Sequence, residues 1–184
     1  MLTLRGRALV NPRLLALCTS ATLLVSGCGF ARTPGTGGRP CLSTRGEQIV
    51  SLLNITRTRE KLSELRVDVR LVRAAQAHAE DMAAGGFSGH RGSDSSLPAD
   101  RADRVSYPWL FVAENASAGH ATALSTFAAW MASPTHRAKN LQMEAEHVGV
   151  GYAENEDTDD RAYWVVVFGA SSQAAMSTTG GCHP

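Results

Sequence analysis

The spacing of apolar and polar positions predicts two helices in the first half of the folded region. From Glu47, apolar residues return every three or four positions, which is typical of an amphipathic helix running towards Lys61. Asp68 is a favourable N-cap for a second helix, which Gly85-Gly86 would end. One face of this second helix is predicted to carry four residues at helical spacing: Leu71, Ala75, His78 and Met82.

The rest of the chain mixes short helices with strands. The pattern predicts a short helix at residues 99–105, a strand-like segment at 110–116, a helix at 122–132, and a helical turn beginning at Pro134. Two β-prone segments follow, at residues 147–153 and 163–168. The acidic stretch 154–160 lacks the residue spacing of an EF-hand and is predicted to be a solvated hairpin loop. Helices around a small sheet indicate a layered α+β fold.

The N-terminus has the pattern of an export signal. Three arginines (Arg5, Arg7 and Arg13) precede an apolar run at residues 14–25, which is too short to span a bilayer. Small residues then lead into Cys28, as in the lipobox of a bacterial lipoprotein. Residues 1–27 are therefore predicted to be a lipoprotein signal peptide. Two acyl chains on Cys28 would suffice for stable anchoring in the membrane. The alternative is an ordinary cleaved signal that contains a cysteine.

The cysteines and the composition divide the mature chain into a tether and one domain. Residues 28–40, rich in Gly and Pro, are predicted to be a flexible tether, and residues 41–184 the folded domain. Cys18 would leave with the signal. If Cys28 is acylated, Cys41 and Cys182 remain as a natural disulfide pair outside the cytoplasm. Such a bridge could contribute about 4 kcal/mol in the chain-entropy model.

The net charge of the mature chain gives no indication that it binds nucleic acid. Signal removal takes three of the eighteen basic residues and none of the seventeen acidic ones, so the mature net charge would be −2. No basic patch indicates nucleic-acid binding, and no second apolar stretch could span a membrane. The expected location is the outer face of the cytoplasmic membrane or the cell envelope, with the membrane contacted through the lipid on Cys28.

Four short segments carry side chains that could perform chemistry. They are Phe87-Ser88-Gly89-His90, Glu114-Asn115, residues 130–137, and Gly149-Val150-Gly151-Tyr152. In this order, and with the second helix and the closing Phe168-Gly169, they resemble the CAP superfamily (cysteine-rich secretory proteins, antigen 5 and plant pathogenesis-related 1 proteins) in its short bacterial form. The resemblance covers about residues 46–169. It implies a three-layer α-β-α sandwich with a small, mainly antiparallel central sheet and a central cleft.

The resemblance also implies which residues line the cleft. Eukaryotic members place two histidines and two glutamates there, and these bind a divalent cation in several cases. His90 matches the first histidine, Glu114 the first glutamate and His136 the second histidine, thirteen residues before Gly149. Ser133 stands where the second glutamate is expected. The set of four is therefore incomplete.

The three matching residues are candidate metal ligands. Two imidazoles and one carboxylate can leave a fourth position open for water, as in catalytic zinc sites, and imidazole nitrogen favours zinc over magnesium or calcium. His90, Glu114 and His136 would then also be the catalytic residues of an alternative function, a metal-dependent hydrolase of the protease kind. Ser133 and His136 could meet as nucleophile and base, but the sequence shows no oxyanion hole or orienting acid for them.

The remaining conspicuous side chains are interpreted as structural. Trp130 and His78 are expected in the core, and Arg137 is expected to make hydrogen bonds that hold the His136 turn. The other histidines match no family site and receive no role: His120, His147 and His183.

Three function classes follow from the sequence. The first is a non-enzymatic envelope protein whose cleft binds a lipid, a glycan or another small ligand, since the resemblance extends to lipid- and sterol-binding proteins. The second is the metal-dependent hydrolase, and the third is a surface interaction protein with a vestigial cleft. The incomplete set of four favours the first class over the second.

Overall fold

The computed structural model describes residues 42–176, which form five helices and four strands. In chain order these are α1 (Thr44–Arg59), β1 (Arg66–Val67), α2 (Val69–Gly85), α3 (Pro98–Arg104), β2 (Trp109–Ala118), α4 (Ala123–Ala132), α5 (Pro134–Asn140), β3 (His147–Glu154) and β4 (Ala162–Ser171). The predicted signal peptide 1–27, the tether 28–40 with Cys28, and the Cys41–Cys182 disulfide lie outside the described residues. None of the helices within 42–176 combines the length and the apolar character needed to cross a bilayer.

The predicted helices are confirmed, although α1 begins at Thr44, before the predicted start at Glu47. Ser43 caps α1, its hydroxyl accepting a hydrogen bond from the Gly46 amide at 3.1 Å. Asp68 caps α2 in the same way, accepting from the Arg70 amide at 2.9 Å. α2 stops at Gly86, whose φ of 62° is a left-handed conformation that costs glycine little. Local sequence therefore fixes the bounds of the two longest helices.

The four strands form one sheet in the order β1-β3-β4-β2. β4 pairs antiparallel with both β3 and β2, which confirms a mainly antiparallel sheet. β1 was not predicted, and it pairs parallel with β3 through only two residues. Its two residues show no periodicity, so only the tertiary fold defines them as a strand. The acidic loop joins antiparallel β3 and β4, as predicted.

Alternating residues of β4 divide the core between the two faces of the sheet. Trp164, Val166 and Phe168 pack with residues of α1 and α4 on one face. Tyr163, Val165 and Val167 pack with residues of α2 and α3 on the other. All six side chains are at most 1% exposed, so β4 is covered on both sides. Helices therefore cover both faces of the sheet, and the three-layer α-β-α sandwich is confirmed.

The Gly149-Val150-Gly151 pattern has a structural cause. A Cβ atom on Gly149 would lie 2.0 Å from the backbone carbon of Leu71 on α2, and one on Gly151 would lie 2.3 Å from that of Ala75. Neither contact can be relieved by a side-chain rotation, because both involve backbone atoms. The two glycines are needed for the close approach of α2 to β3, whereas Val150 points into the core of the opposite face.

A buried arginine fixes the segment that follows α5. Arg57, on α1 and 1% exposed, donates hydrogen bonds to the carbonyl oxygens of Asn140, Gln142 and Ala145 at 3.2, 2.9 and 3.2 Å. Its Nε also donates to the Ser63 carbonyl at 2.9 Å. One guanidinium thereby joins α1 to the end of α5, the helix that carries His136.

Candidate functional site

Glu114 is the centre of the predicted cleft. It lies on β2, is 2% exposed, and has both carboxylate oxygens engaged. Oε1 accepts a hydrogen bond from His90 Nδ1 at 2.9 Å, and Oε2 accepts one from an Arg101 guanidinium nitrogen at 2.7 Å. Because Nδ1 of His90 must carry the hydrogen for this bond, the neutral ring presents a lone pair on Nε2.

Arg101 neutralises Glu114 and fixes the segments around it. It lies on α3 and is 5% exposed. Its guanidinium also donates to the Ser96 carbonyl at 2.9 Å and to the His90 carbonyl at 3.1 Å. One buried cation thus holds Glu114 and the backbone at His90 together. Such a fixed arrangement lets Glu114 keep His90 in one orientation.

A second cation, Lys139, lies at the open side of His90. Its Nζ is 3.4 Å from His90 Nε2, so the ammonium group faces the lone pair of the imidazole. Burial lowers the pKa of Lys139, and the charge of Glu114 partly opposes this. His90, Glu114, Lys139 and Pro98 line a cavity of about 230 Å³.

His136 lies in the same neighbourhood, three residues before Lys139 on α5. Burial, followed by the nearby charge of Lys139 and then that of His90, lowers the pKa of His136. Asn115 holds this turn against β2: its side-chain amide donates to the His136 carbonyl at 3.0 Å and to Asn140 Oδ1 at 2.8 Å. The Glu114-Asn115 dipeptide therefore has two roles, one in the cleft and one in positioning α5.

His78 is buried, as predicted, and lies near Glu114. It is 1% exposed, and its Nε2 donates to the Gly89 carbonyl at 2.9 Å. Nε2 is also 3.8 Å from Glu114 Oε1. Its Nδ1 has no hydrogen-bond partner among residues 42–176, and neither has Arg101 Nε. Both residues line a second cavity, of about 270 Å³, between α2 and α3.

The three predicted ligands do not form a metal-binding set in this structure. Within residues 42–176, no three side chains of His, Cys, Asp and Glu are placed to hold one metal ion. Glu114 was expected to be a direct ligand, but its two oxygens are already engaged by His90 and Arg101. The residues present therefore do not fit a three-ligand zinc site, although His90, Glu114 and His136 belong to one neighbourhood.

The other singled-out residues occupy structural positions. Trp130 is 1% exposed in the core, as predicted. Ser133 joins α4 to α5, and it makes no side-chain hydrogen bond to His136 among the described contacts. Arg137 was expected to hold the His136 turn. It instead forms a surface ion pair with Glu60 at 2.9 Å, because its position on α5 faces the end of α1.

The unassigned histidines stay outside the cleft where the structure describes them. The His120 carbonyl accepts a hydrogen bond from Trp164 Nε1 at 2.7 Å. His147 is fully buried and its Nδ1 is 2.8 Å from the Tyr107 hydroxyl. A Cβ on Gly169 would lie 2.6 Å from that hydroxyl, so the glycine after Phe168 makes room for Tyr107. His183 lies beyond the described range.

Sequence reasoning missed Arg101 and Lys139. Arg101 lies on α3 among other charged residues, and nothing in the sequence separates it from Arg104, which pairs with Asp94 at the surface. Lys139 could have been found. It lies one helical turn after His136 on the predicted helix, so the two side chains share a face.

Comparison with known families agrees with this fold. The profile of the CAP family, described as the cysteine-rich secretory protein family, matches residues 50–168, more than half of the chain. The chain therefore belongs to the CAP family. Two curated relatives come from Bacillus subtilis (strain 168). Uncharacterized protein YkwD is 29% identical over 62% of this chain and 44% of its own length. Uncharacterized membrane protein YlbC is 25% identical over 68% of this chain and 34% of its own.

Two solved structures share the architecture. An extracellular protein containing a SCP domain from Bacillus anthracis is 26% identical, with a TM-score of 0.61 over 68% of this chain and 40% of that chain. An outer surface protein from Borrelia burgdorferi is 18% identical, with a TM-score of 0.65 over 72% of this chain and 96% of that one, and shows the fold alone. This chain spans less than half the length of both curated relatives and of the Bacillus anthracis protein.

Proposed function

We propose that this chain is a lipid-anchored CAP-domain protein of the cell envelope, and that its cleft binds a small ligand, a lipid or a glycan without transforming it. The observation that carries the proposal is the engagement of Glu114. Its two oxygens are occupied by His90 and Arg101, and the residue is 2% exposed. A carboxylate held in this way keeps the side chain of His90 in one orientation in the cleft.

The geometry supports the hydrolase alternative less well. His90 is the one base that Glu114 orients, and its free nitrogen faces the Lys139 ammonium at 3.4 Å. A general base whose lone pair is directed at a cation is poorly placed to take a proton from a nucleophile. The Ser133 hydroxyl makes no hydrogen bond to His136 or His90 in the described part of the chain. The proposal therefore assigns no catalytic residue.

Ligand binding can be tested on the full-length protein purified in a mild detergent. Material released on denaturation would be analysed by mass spectrometry for wild type and for His90→Trp, which fills the cavity mouth at a side chain that is 44% exposed. His120→Trp is the matched control outside the cavity. We expect a molecule that is retained by wild type and His120→Trp and lost from His90→Trp. Equal contents in all three, together with hydrolysis of casein or an ester that His90→Ala abolishes, would favour the hydrolase instead.

The anchor is supported by the small residues before Cys28, and export is in keeping with the extracellular description of the Bacillus anthracis relative. Labelling cells with a fatty-acid analogue should mark wild type. Cys28→Ser should lose the label and remain uncut or leave the membrane fraction. Cys18→Ser, within the predicted signal, is the matched control and should stay labelled. An unlabelled wild type that is still retained by membranes would contradict the anchor.

The proposed Cys41–Cys182 bridge has its own test. Peptide mapping of the exported protein without reduction should recover the two cysteines in one linked fragment. Reduction should lower the melting temperature without unfolding the domain, because the two core clusters do not depend on the bridge. Two free thiols at these positions would show that the pairing is wrong.

A further inference from the structure

We infer that Lys139 is the resident cation of the cleft, and that the cleft receives the anionic head, a carboxylate or a phosphate, of its ligand. This inference rests on the proposed function, because it names the chemical class of the bound molecule. It also explains the misfit of a metal. The family position where a divalent ion would meet His90 is next to an ammonium group of the protein itself.

The charges around the cavity leave one cation uncompensated. Glu114 and Arg101 are both buried and pair with each other at 2.7 Å, so together they add no net charge. Lys139 forms no salt bridge with a carboxylate among residues 42–176, although seven arginine–carboxylate pairs occur in that part of the chain. A partly buried charge interacts more strongly with a ligand than an exposed one, because solvent screens it less.

The hydrogen bonds of His90 determine what can approach it. In many metal sites a carboxylate accepts from one ring nitrogen while the other nitrogen binds the metal. Glu114 and His90 have the first half of that arrangement, with 2.9 Å between Oε1 and Nδ1. The second half is taken by Lys139, whose Nζ lies 3.4 Å from Nε2. A divalent ion at Nε2 would meet the positive charge of Lys139 and would be repelled.

An oxyanion, in contrast, finds free donors at the same place. The Lys139 ammonium has three N–H donors and uses one towards His90, so two remain for a ligand oxygen. His136 lies close enough to Lys139 for the charge of the lysine to affect its pKa, and it makes no side-chain hydrogen bond within the described residues. The cavity of about 230 Å³ has room for a carboxylate or phosphate group, with Pro98 as an apolar wall.

The lysine content of the chain gives a direct assay, since Lys61 and Lys139 are its only lysines. Full-length protein in a neutral detergent, labelled with ¹³C at lysine Cε, would show two lysine signals. Acetate, dimethyl phosphate and inorganic phosphate would be titrated at constant ionic strength against chloride. We expect a saturable change in the chemical shift of the Lys139 signal and no change in that of Lys61. The anion that binds most tightly identifies the head group of the ligand: acetate indicates a carboxylate, dimethyl phosphate a phosphodiester like that of a lipid, and inorganic phosphate a free phosphate.

Variants make the assay decisive. Binding is followed in the variants by the NMR signals of the histidine ring nitrogens. Lys139→Met should weaken anion binding at least tenfold and should strengthen zinc binding at His90 at least tenfold. Lys61→Met is the control and should change neither affinity. Equal movement of both lysine signals, or zinc binding to wild-type His90 as tight as to Lys139→Met, would overturn the inference. A retained neutral ligand with no response to any anion would overturn this inference alone and leave the proposed binding function standing.

Discussion

Within residues 42–176 two arginine–carboxylate pairs are buried, and they differ in what surrounds them. Arg70 and Asp68 meet at 2.7 Å at the start of α2. Asp68 also accepts from the backbone amides of Arg70 and Met176, both at 2.9 Å, and Arg70 lies 5.1 Å from the ring centre of Tyr107. Arg101 and Glu114 also meet at 2.7 Å, but the second oxygen of Glu114 binds His90, which is 44% exposed at a cavity.

The difference separates a structural pair from a pair that serves a site. The Asp68 carboxylate accepts hydrogen bonds only from the Arg70 side chain and from backbone amides within the described residues. One of these amides belongs to Met176, so the pair joins the N-terminus of α2 to the segment after β4. Glu114 instead directs one of its bonds to a side chain at the surface of the cleft, and Arg101 Nε faces no partner among the described residues. Similar ion-pair geometry therefore does not imply a similar role.

The largest expected effect comes from removing either carboxylate. Asp68→Ala and Glu114→Ala should each destabilise the fold by about 3–5 kcal/mol, because each leaves a buried arginine without its counter-charge. Thermal unfolding followed by circular dichroism measures this. The comparison predicts a second difference: only Glu114→Ala should shift the ring nitrogen signals of His90. A shift of the His90 ring nitrogen signals in Asp68→Ala, with no shift in Glu114→Ala, would remove the distinction between the two pairs.

Acid should act on the structural pair through Asp68. Burial alone would raise the pKa of Asp68, but hydrogen bonds from Arg70 and from the Met176 amide outweigh burial and lower it. A lowered pKa in the folded state contributes stability that is present above the unfolded value of about 4 and is lost as pH falls through the folded value. The melting temperature should therefore fall below pH of about 4, and less steeply in Asp68→Asn. Parallel curves for the two proteins would contradict this.

A smaller effect is expected beside the structural pair. Tyr107→Phe keeps the ring next to Arg70 but removes the hydroxyl that contacts His147 Nδ1 at 2.8 Å. Leaving that buried nitrogen unpaired should cost about 1–3 kcal/mol. Chemical denaturation of wild type and variant measures the loss. Ser106→Ala, at the exposed neighbouring residue, is a control that should stay within about 0.5 kcal/mol of wild type. An equal loss in both variants would contradict the role of the hydroxyl.

Burial of His147 adds a prediction near neutral pH. Burial is the largest cause that lowers the pKa of this fully buried imidazole. The unfolded chain then takes up a proton more readily than the folded one, so stability should fall as pH drops through about 6.5. His147→Gln should flatten the pH dependence of the melting temperature between pH of about 5 and 7. An unchanged slope there would assign the dependence to other groups.

Periodicity and caps were enough to predict most of the fold. The start of α2 at Asp68 and its end at Gly86 follow from local signals, and the helices and strands after it follow from apolar spacing. Apolar spacing also predicts α1, but not its start at the Ser43 cap. β1 could not be predicted, because its two residues become a strand only by pairing with β3. The glycines of β3 were noticed as a motif, but their cause, contact with the α2 backbone, requires the tertiary structure.

The candidate site was only partly predictable. The family resemblance identified His90, Glu114 and His136, and the structure places them in one neighbourhood. The resemblance could not show that Arg101 donates a hydrogen bond to the second oxygen of Glu114. That contact joins α3 to β2, which only the tertiary structure brings together. Ion pairs between segments that are distant along the chain leave no recognisable pattern in the sequence. For that reason the expected metal ligand set and the observed hydrogen-bond network differ.

Metal analysis of the full-length protein, purified without added metal, tests the central claim most directly. The claim is that a hydrogen-bonded network of Glu114, His90, Arg101 and Lys139 organises this cleft without a divalent ion. Wild type, His90→Ala and His136→Ala should all contain far less than one equivalent of zinc or any other divalent metal. One equivalent of metal in wild type, lost in both histidine variants, would contradict the account and restore the three-ligand site.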